Sequence, residues 1–308
     1  MPRRIGTGAR KAFAAWESIL SSRIDGRPYL WFRRLFVLKL AAFATLTLWL
    51  RLPGSGPFLL LVLLSAGQAV RARDRYLPGL LGMLAFEVWN ITQTFPFTLN
   101  HHFFESLVLV IMVVSPAEPS REPGEPSRPL SIDARAVRLI QLAIISVWAY
   151  AAIQKVVHER YWNGELLGLY GLYEGGRFAG LTARFASLAS RLTGAEAAAL
   201  PLTWPASLLP QPVAAPVWLC ASLVWLGRGT IGLELGIALG LLFPRTRTAA
   251  AAGLMAFQTV IALVTGEISF GLAGLVSAVL FVPYSPTLYI AMALVIAAGV
   301  AVTGLGIL

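Results

Sequence analysis

The sequence has few charged residues and a single cysteine, and these scarcities narrow its class at once. Only 13% of its 308 residues are Asp, Glu, Lys or Arg, whereas soluble domains carry roughly 25%. Cys220 alone forms neither an internal disulfide nor a cysteine-based metal cluster, and we interpret it as a small packed hydrophobe. The chain also lacks a Walker loop, a GxSxG elbow, an HExxH pair and a GxGxxG loop following a strand.

The low content of charged residues goes with a high content of apolar ones. Hydrophobic side chains make up 57% of the chain. Several runs approach the roughly 20 residues that a helix needs to cross a bilayer. A membrane span must be a helix or part of a closed barrel, and these Leu-, Ala- and Val-rich runs lack the alternation of barrel strands. The sequence therefore predicts an all-α, polytopic integral membrane protein of a cell or inner membrane.

The apolar runs predict about nine membrane spans within one transmembrane domain over residues 35–308. The predicted spans cover residues 36–52, 57–70, 76–91, 100–114, 136–157, 215–243, 249–265, 268–282 and 287–305. Residues 1–34 read as a basic interfacial or partly disordered segment, and the Pro- and Glu-rich residues 116–133 as a flexible loop. Residues 165–212 mix Gly, Arg and Ser with apolar residues, which predicts interfacial helices and loops.

The excess of positive charge, +10 in all, follows the orientation rule for membrane proteins. Basic residues cluster in the N-terminal segment and in short loops, for example Arg71–Arg75 and Arg245–Arg247. Nine spans with a cytoplasmic N-terminus place all of these loops on the cytoplasmic side. This distribution argues against nucleic acid as a partner and in favour of the lipid bilayer.

The same topology brings polar residues together near the outer ends of three spans. The third, fourth and fifth spans carry them there: Glu87 and Asn90; Asn100, His101, His102 and Glu105; Gln154, Lys155 and His158. Ionisable groups inside a membrane are costly and usually face the bundle interior or a water-filled cavity. We therefore expect a polar cavity that opens to the outer side.

Each of these residues also has a structural interpretation. Lys155 can snorkel to the headgroups, and Asn100 can cap its helix. Glu87 lies inside its span and needs a partner, for which His101, His102 and Lys155 are the candidates. Metal binding is a minor alternative, since the spacing aligns only His101 with Glu105; we expect no metal.

Three polar residues of the later spans are interpreted as structural. Arg228 and Glu234 interrupt the sixth span at a spacing that does not make helix neighbours, so each should contact another helix. Gln258 in the seventh span predicts an interhelical hydrogen bond.

Several short motifs resemble a known family. Asn100-His101 opens one helix, the run QLAIISVWAYAAIQK ends a later one at Lys155, and YWNG follows closely. With Ile231-Gly-Leu-Glu234-Leu-Gly and residues 257–282, these motifs resemble the transmembrane module of vitamin K-dependent γ-glutamyl carboxylase, the horizontally transferred transmembrane (HTTM) domain. The resemblance covers about residues 30–285.

The resemblance implies roles for individual residues. Lys155 would be the amine that deprotonates a reduced vitamin K or menaquinol-like quinone, and His101 would assist it by hydrogen bonding. Apart from the resemblance, we predict that Asn100, His102, Glu87 and Trp162 line the substrate site. The carboxylase has a large lumenal domain that has no counterpart here, so we do not expect protein glutamate carboxylation itself.

Two other interpretations remain open. A lysine followed by Trp and Gly is also similar to the smaller DoxX-like family, which predicts a non-catalytic membrane subunit or scaffold with a membrane protein partner. A transporter is the third, although no pair of Gly- or Pro-broken half-helices indicates a midplane site.

Overall fold

The computed structural model describes residues 23–51, 56–71, 77–94, 100–115, 131–157, 159–162, 197–199, 214–265 and 268–304. The α-helices are α1 (Arg27–Arg51), α2 (Gly56–Arg71), α3 (Leu77–Thr94), α4 (Asn100–Val114), α5 (Ala134–Val157), α6 (Glu159–Trp162), α7 (Val217–Leu242), α8 (Arg247–Thr265), α9 (Ile268–Ala278) and α10 (Pro286–Gly304). A 3₁₀ turn, Val279–Phe281, extends α9. The strands are β1 (Arg23–Asp25), β2 (Ser131–Asp133), β3 (Ala197–Ala199) and β4 (Ala214–Pro216).

The predicted all-α class is confirmed, apart from two antiparallel pairs of three-residue strands. Each predicted span corresponds to a helix, with one notable change of boundary. Helix α1 begins at Arg27, well before residue 36, so the end of the predicted interfacial segment 1–34 belongs to the first helix. The end of the predicted flexible loop 116–133 is also ordered, because β2 pairs with β1.

Three of the described helices are long and apolar enough to cross a membrane, namely Ala134–Val157, Ala221–Leu242 and Pro286–Gly304. Four shorter apolar helices cover Leu59–Val70, Leu77–Thr92, His102–Val114 and Ile268–Phe281. Length and apolar composition on this scale indicate a membrane protein.

The chain forms two compact units, and α5 contributes to both. The first unit contains residues 1–144 and 268–308, and the second contains residues 145–267. In the first unit α1 packs against α2, α9 and α10, while α2, α3 and α4 pack in sequence order. Aromatic side chains of α1 fill its core, with Tyr29, Phe32 and Phe36 fully buried.

One end of the first unit collects several helix termini. The β1–β2 pair joins the start of α1 to the start of α5. The Gln141 amide of α5 donates a hydrogen bond of 2.7 Å to the Leu280 carbonyl in the 3₁₀ turn. The guanidinium of Arg27 lies over the ring of Tyr284, 4.5 Å from its centroid, just before α10.

Small residues allow α2 and α3 to pack closely. A Cβ atom at Gly79 would lie 2.5 Å from the Ser65 carbonyl oxygen and 2.6 Å from the Ala69 nitrogen. A Cβ at Gly82 would overlap the Ser65 side chain. Membrane helices associate through such small-residue contacts, because lipid offers no hydrophobic driving force between them.

The second unit is built on an antiparallel hairpin of α7 and α8. Pro244 stops α7, and Thr246 donates a hydrogen bond of 2.8 Å to the Gly240 carbonyl at its C-terminus. The Arg247 side chain donates to the Leu241 carbonyl at 3.2 Å, where a cation also complements the helix dipole. Gly240 faces Ala250 so closely that a Cβ there would lie 2.7 Å from the alanine methyl group.

Candidate functional site: two buried charge clusters

The first unit contains a buried group of ionisable side chains, Lys39, Glu87, His102 and Glu105, with the amide of Asn90 beside them; we call it the α1–α3–α4 cluster. The ammonium of Lys39 on α1 pairs with Oε1 of Glu105 on α4. Both side chains are only 1% exposed. Two buried ions that pair directly avoid much of the cost that each would carry alone.

His102 connects the two carboxylates of this cluster. Its Nδ1 lies 3.2 Å from Oε2 of Glu87 and 3.6 Å from Oε2 of Glu105. The amide nitrogen of Asn90 lies 3.3 Å from the same ring nitrogen. Glu87 and Asn90 are one turn apart on α3, as His102 and Glu105 are on α4, so two helix faces meet here.

The donor atoms of this cluster are also close enough to surround a small cation. One ligand atom from each of Glu87, His102 and Glu105 lies within 4.8 Å of the others. Carboxylate and imidazole ligands suit zinc and other divalent metals. The sequence argument that only His101 aligns with Glu105 was wrong, because His102 contacts Glu105 across three residues.

The second unit contains a separate ion pair between α5 and α7. The ammonium of Lys155, in the last turn of α5, contacts Oε1 of Glu234. The other carboxylate oxygen of Glu234 is buried and has no hydrogen-bond partner within the described part of the chain. Lys155 also lies over the ring of Tyr161, 5.0 Å from its centroid.

An arginine–tryptophan group is centred on Arg228 of α7, six residues before Glu234. The guanidinium of Arg228 is 4.9 Å from the ring centroid of Trp162 and 5.6 Å from that of Trp225. The expectation that Arg228 and Glu234 contact other helices is confirmed, since Trp162 lies on α6 and Lys155 on α5. Both tryptophans are partly exposed, as interfacial tryptophans of membrane proteins are.

Within the described residues, Gln258 does not make the interhelical hydrogen bond that the sequence predicted. Its side chain is 0% exposed, yet neither its amide oxygen nor its amide nitrogen has a partner among the residues that the structure describes. The close approaches of Gly240 to Ala250 and of Gly253 to Ile237 set the register of the hairpin. That register puts Gln258 at a depth about 3 Å from that of Glu234 along the hairpin.

The structure tests only some of the residues selected from the sequence. Asn100 and His101 open α4 as predicted, but their side chains lie outside the described atoms, as do those of His158 and Cys220. Glu87 and His102 come together, which meets the expectation that Glu87 needs a partner. Lys155 belongs to the other unit, and its pairing with His101 stays a prediction.

Lys39 is the site residue that sequence reasoning missed. It lies in the apolar run of the first predicted span, where an ionisable side chain is itself a signal of a buried partner. That signal was present in the sequence. Its partner could not be read there, because Glu105 is 66 positions away.

The fold and these two clusters define an all-α protein with membrane-length helices and ionisable side chains buried between them. Comparison of the chain with family models, with curated proteins and with solved structures finds no match.

Proposed function

We propose that the protein is an integral membrane protein in which Lys155 exchanges a proton with a lipophilic, quinol-like substrate. One observation carries the proposal: the ammonium of Lys155 contacts a buried carboxylate whose second oxygen has no partner among the described residues. An amine that is tied to such a carboxylate has a place to put its proton. Ligand sites in proteins typically combine apolar walls with a few polar groups of this kind.

The chemistry requires an uncharged amine at neutral pH. In a site of low dielectric constant, the ion pair of Lys155 and Glu234 competes with a neutral pair, in which the ammonium proton has moved to the carboxylate. The neutral amine then accepts the hydroxyl proton of a quinol, so that an O–H bond breaks, an N–H bond forms and a quinolate remains. General bases of this kind contribute roughly 10²–10⁴-fold to a reaction rate.

Among the other site roles of the proposal, that of His101 rests on the resemblance to the HTTM module. His101 would hydrogen bond to the reacting oxygen, and Asn100, Glu87, His102 and Trp162 would line the substrate site. A prenylated quinol suits an apolar site in a membrane, and a reduced vitamin K or menaquinol is the cofactor class that we propose. Further membrane protein partners belong to the same proposal.

The proposed topology has about nine spans and a cytoplasmic N-terminus. It is supported by the seven apolar helices, three long and four short, and by the helix ends that meet in the first unit. In a Cys220→Ser background, we expect a membrane-impermeant maleimide to label Thr98→Cys but not Arg245→Cys in intact cells. Labelling of Arg245→Cys would reject this orientation.

Quinone retention tests the proposed chemistry. We expect mass spectrometry to detect a quinone in lipid extracts of the purified wild-type protein and to find it lost from Lys155→Ala. Lys155→Arg keeps the charge that pairs with Glu234 but cannot release its proton, so it should retain the quinone and fail to deprotonate added quinol. Ile153→Ala, an exposed position on the same helix, is the matched control. Equal quinone in wild type and Lys155→Ala would reject the proposal.

A non-catalytic, DoxX-like subunit or scaffold is the second candidate. The observation that favours it is the same ion pair, since Lys155 and Glu234 join α5 to α7 and buried polar groups hold membrane helices together. In that case Lys155→Arg, which keeps the positive charge beside Glu234, should preserve thermal stability, and wild type itself should not deprotonate added quinol. Deprotonation of added quinol by wild type but not by Lys155→Arg therefore separates the two candidates.

A further inference from the structure

We propose that the α1–α3–α4 cluster is a binding site for one exchangeable proton, held on His102 between the carboxylates of Glu87 and Glu105. The cluster lies within the first unit, apart from Lys155 and Glu234 in the second. Glu87 and His102 also belong to the substrate site proposed above, but a proton on His102 requires neither Lys155 nor a quinol, so either proposal can fail without the other. It rests on charge balance, on the hydrogen-bonding groups around one ring nitrogen and on the pattern of exposure.

Charge balance requires one more positive charge than the cluster permanently has. Glu87 and Glu105 bring two negative charges, while Lys39 brings one positive charge through its contact with Glu105. All three side chains are at most 3% exposed, and an uncompensated charge in such surroundings is strongly unfavourable. A proton on His102 makes the cluster neutral.

The same count argues against a divalent metal ion, although the geometry would admit one. A divalent cation bound to Glu87, His102 and Glu105 would bring the whole cluster, Lys39 included, to a net charge of +1. A proton adds the single charge that is missing. Charge balance therefore selects the proton between two ligands that fit the same donor atoms.

The groups around Nδ1 of His102 serve both of its protonation states. When Nδ1 carries a proton, it can donate to Oε2 of Glu87 at 3.2 Å, with Oε2 of Glu105 at 3.6 Å. When Nδ1 has no proton, the amide of Asn90 at 3.3 Å can donate to it instead. A ring nitrogen with acceptors for one state and a donor for the other can gain and lose its proton without losing every partner.

The exposure of the side chains in the cluster gives a proton a route to His102 from the surface. The His102 side chain is 20% exposed, whereas Glu87 and Glu105 behind it are 3% and 1% exposed. The imidazole therefore lies between the surface and the buried carboxylates. Helix α9, which also packs against α4, contributes no charged side chain in Ile268–Ala278, and the carboxylates of Glu87 and Glu105 are charged groups in contact with His102.

Histidine-selective NMR on the full chain in nanodiscs measures this proton directly. With ¹⁵N-labelled histidine and assignment by His102→Gln, we expect the His102 ring to titrate as a single site. In Glu87→Gln its proton affinity should fall roughly tenfold or more, because an opposite charge within hydrogen-bonding distance is lost. Glu234→Gln in the second unit should leave the titration unchanged, which separates this test from that of the quinol proposal.

A second variant keeps the test decisive if Glu87→Gln fails to fold. Asn90→Leu removes the donor that stabilises the unprotonated ring, so the proton affinity of His102 should rise, opposite in sign to Glu87→Gln. A His102 ring that does not titrate, or that titrates equally in all variants, would overturn the proposal. Stoichiometric binding of added Zn²⁺ that abolishes the titration and is reversed by a chelator would identify a metal site instead.

Discussion

Lys39 on α1 and Glu105 on α4 form an ion pair in which each side chain is 1% exposed, although 66 positions separate them in the sequence. Because neither side chain is exposed, this pair does not belong to the surface ion pairs that contribute little to stability. It joins the first helix of the unit to the fourth at a point where neither charge reaches solvent.

Removing one partner of this pair should destabilise the protein strongly. In Lys39→Met the buried carboxylate of Glu105 loses the ammonium of Lys39, and we expect a loss of about 3–5 kcal/mol in the free energy of unfolding. Denaturant unfolding of the purified protein in detergent measures it. The double variant Lys39→Met/Glu105→Gln should recover part of the loss, and Leu38→Ala, partly exposed on the same helix, is the control. A single variant as stable as wild type would contradict the buried pair.

Glycine substitutions test the close packing of α2 and α3. Gly79→Ala places a methyl group against the backbone of Ser65 and Ala69, and we expect it to cost about 1–3 kcal/mol of stability. Gly67→Ala is the matched control, because a Cβ at Gly67 meets nothing within 4 Å. Alanine there should be neutral or stabilise the helix by roughly 0.5–1 kcal/mol. Thermal unfolding of both variants gives the comparison, and equal effects would reject the packing argument.

Exchanging the charges of Lys155 and Glu234 separates helix packing from proton exchange. Either single reversal buries two like charges, so Lys155→Glu and Glu234→Lys should each unfold at a lower temperature than wild type. The double reversal restores an ion pair and should recover much of the thermal stability. Quinol deprotonation should remain lost, because the base then projects from α7 instead of α5. If the double reversal recovered both thermal stability and quinol deprotonation, a base on α5 would not be required. That result would contradict the proposed role of Lys155.

Acidic pH should weaken the turn that precedes α1. Burial opposes ionisation of Asp25, but its hydrogen bonds and charge interaction with Arg27 outweigh this and hold the pKa of Asp25 below its ordinary value of 3.8. A carboxyl group with a lowered pKa stabilises the folded state above its ordinary pKa, and that stabilisation is lost as the pH falls through the lowered value. We expect Asp25→Asn to remove the pH dependence of stability that comes from this carboxyl group and to leave the rest of the stability unchanged. The slope of thermal stability against pH near the ordinary pKa of Asp25 is the measurement.

The helices were predictable because each depends on a local pattern. An apolar run bounded by a helix-breaking residue fixes a helix whatever its neighbours are, as Pro244 does for the end of α7. The start of α1 was placed too late, because the basic character of residues 1–34 suggested an interface, whereas the structure buries Arg33 within the helix.

The partners of the polar side chains were less predictable, because they depend on how each helix is rotated about its axis. The sequence could say that Glu87 needs a partner but not whether His101, His102 or Lys155 supplies it. The choice between adjacent histidines turns on about 100° of helix rotation. Gln258 shows the same limit, since buried amides usually find partners but the amide of Gln258 has none among the described residues.

The short β1–β2 ribbon has a consequence for the long Pro- and Glu-rich connection that precedes β2. The ribbon hydrogen-bonds Arg23–Asp25 to Ser131–Asp133, so the chain on either side of residues 116–130 is held together by more than covalent continuity. The packing of α9 and α10 on α1 binds the same two portions. A protease cut within that connection should therefore yield two fragments that co-migrate as one particle in a mild detergent. A denaturing detergent or heat should separate them.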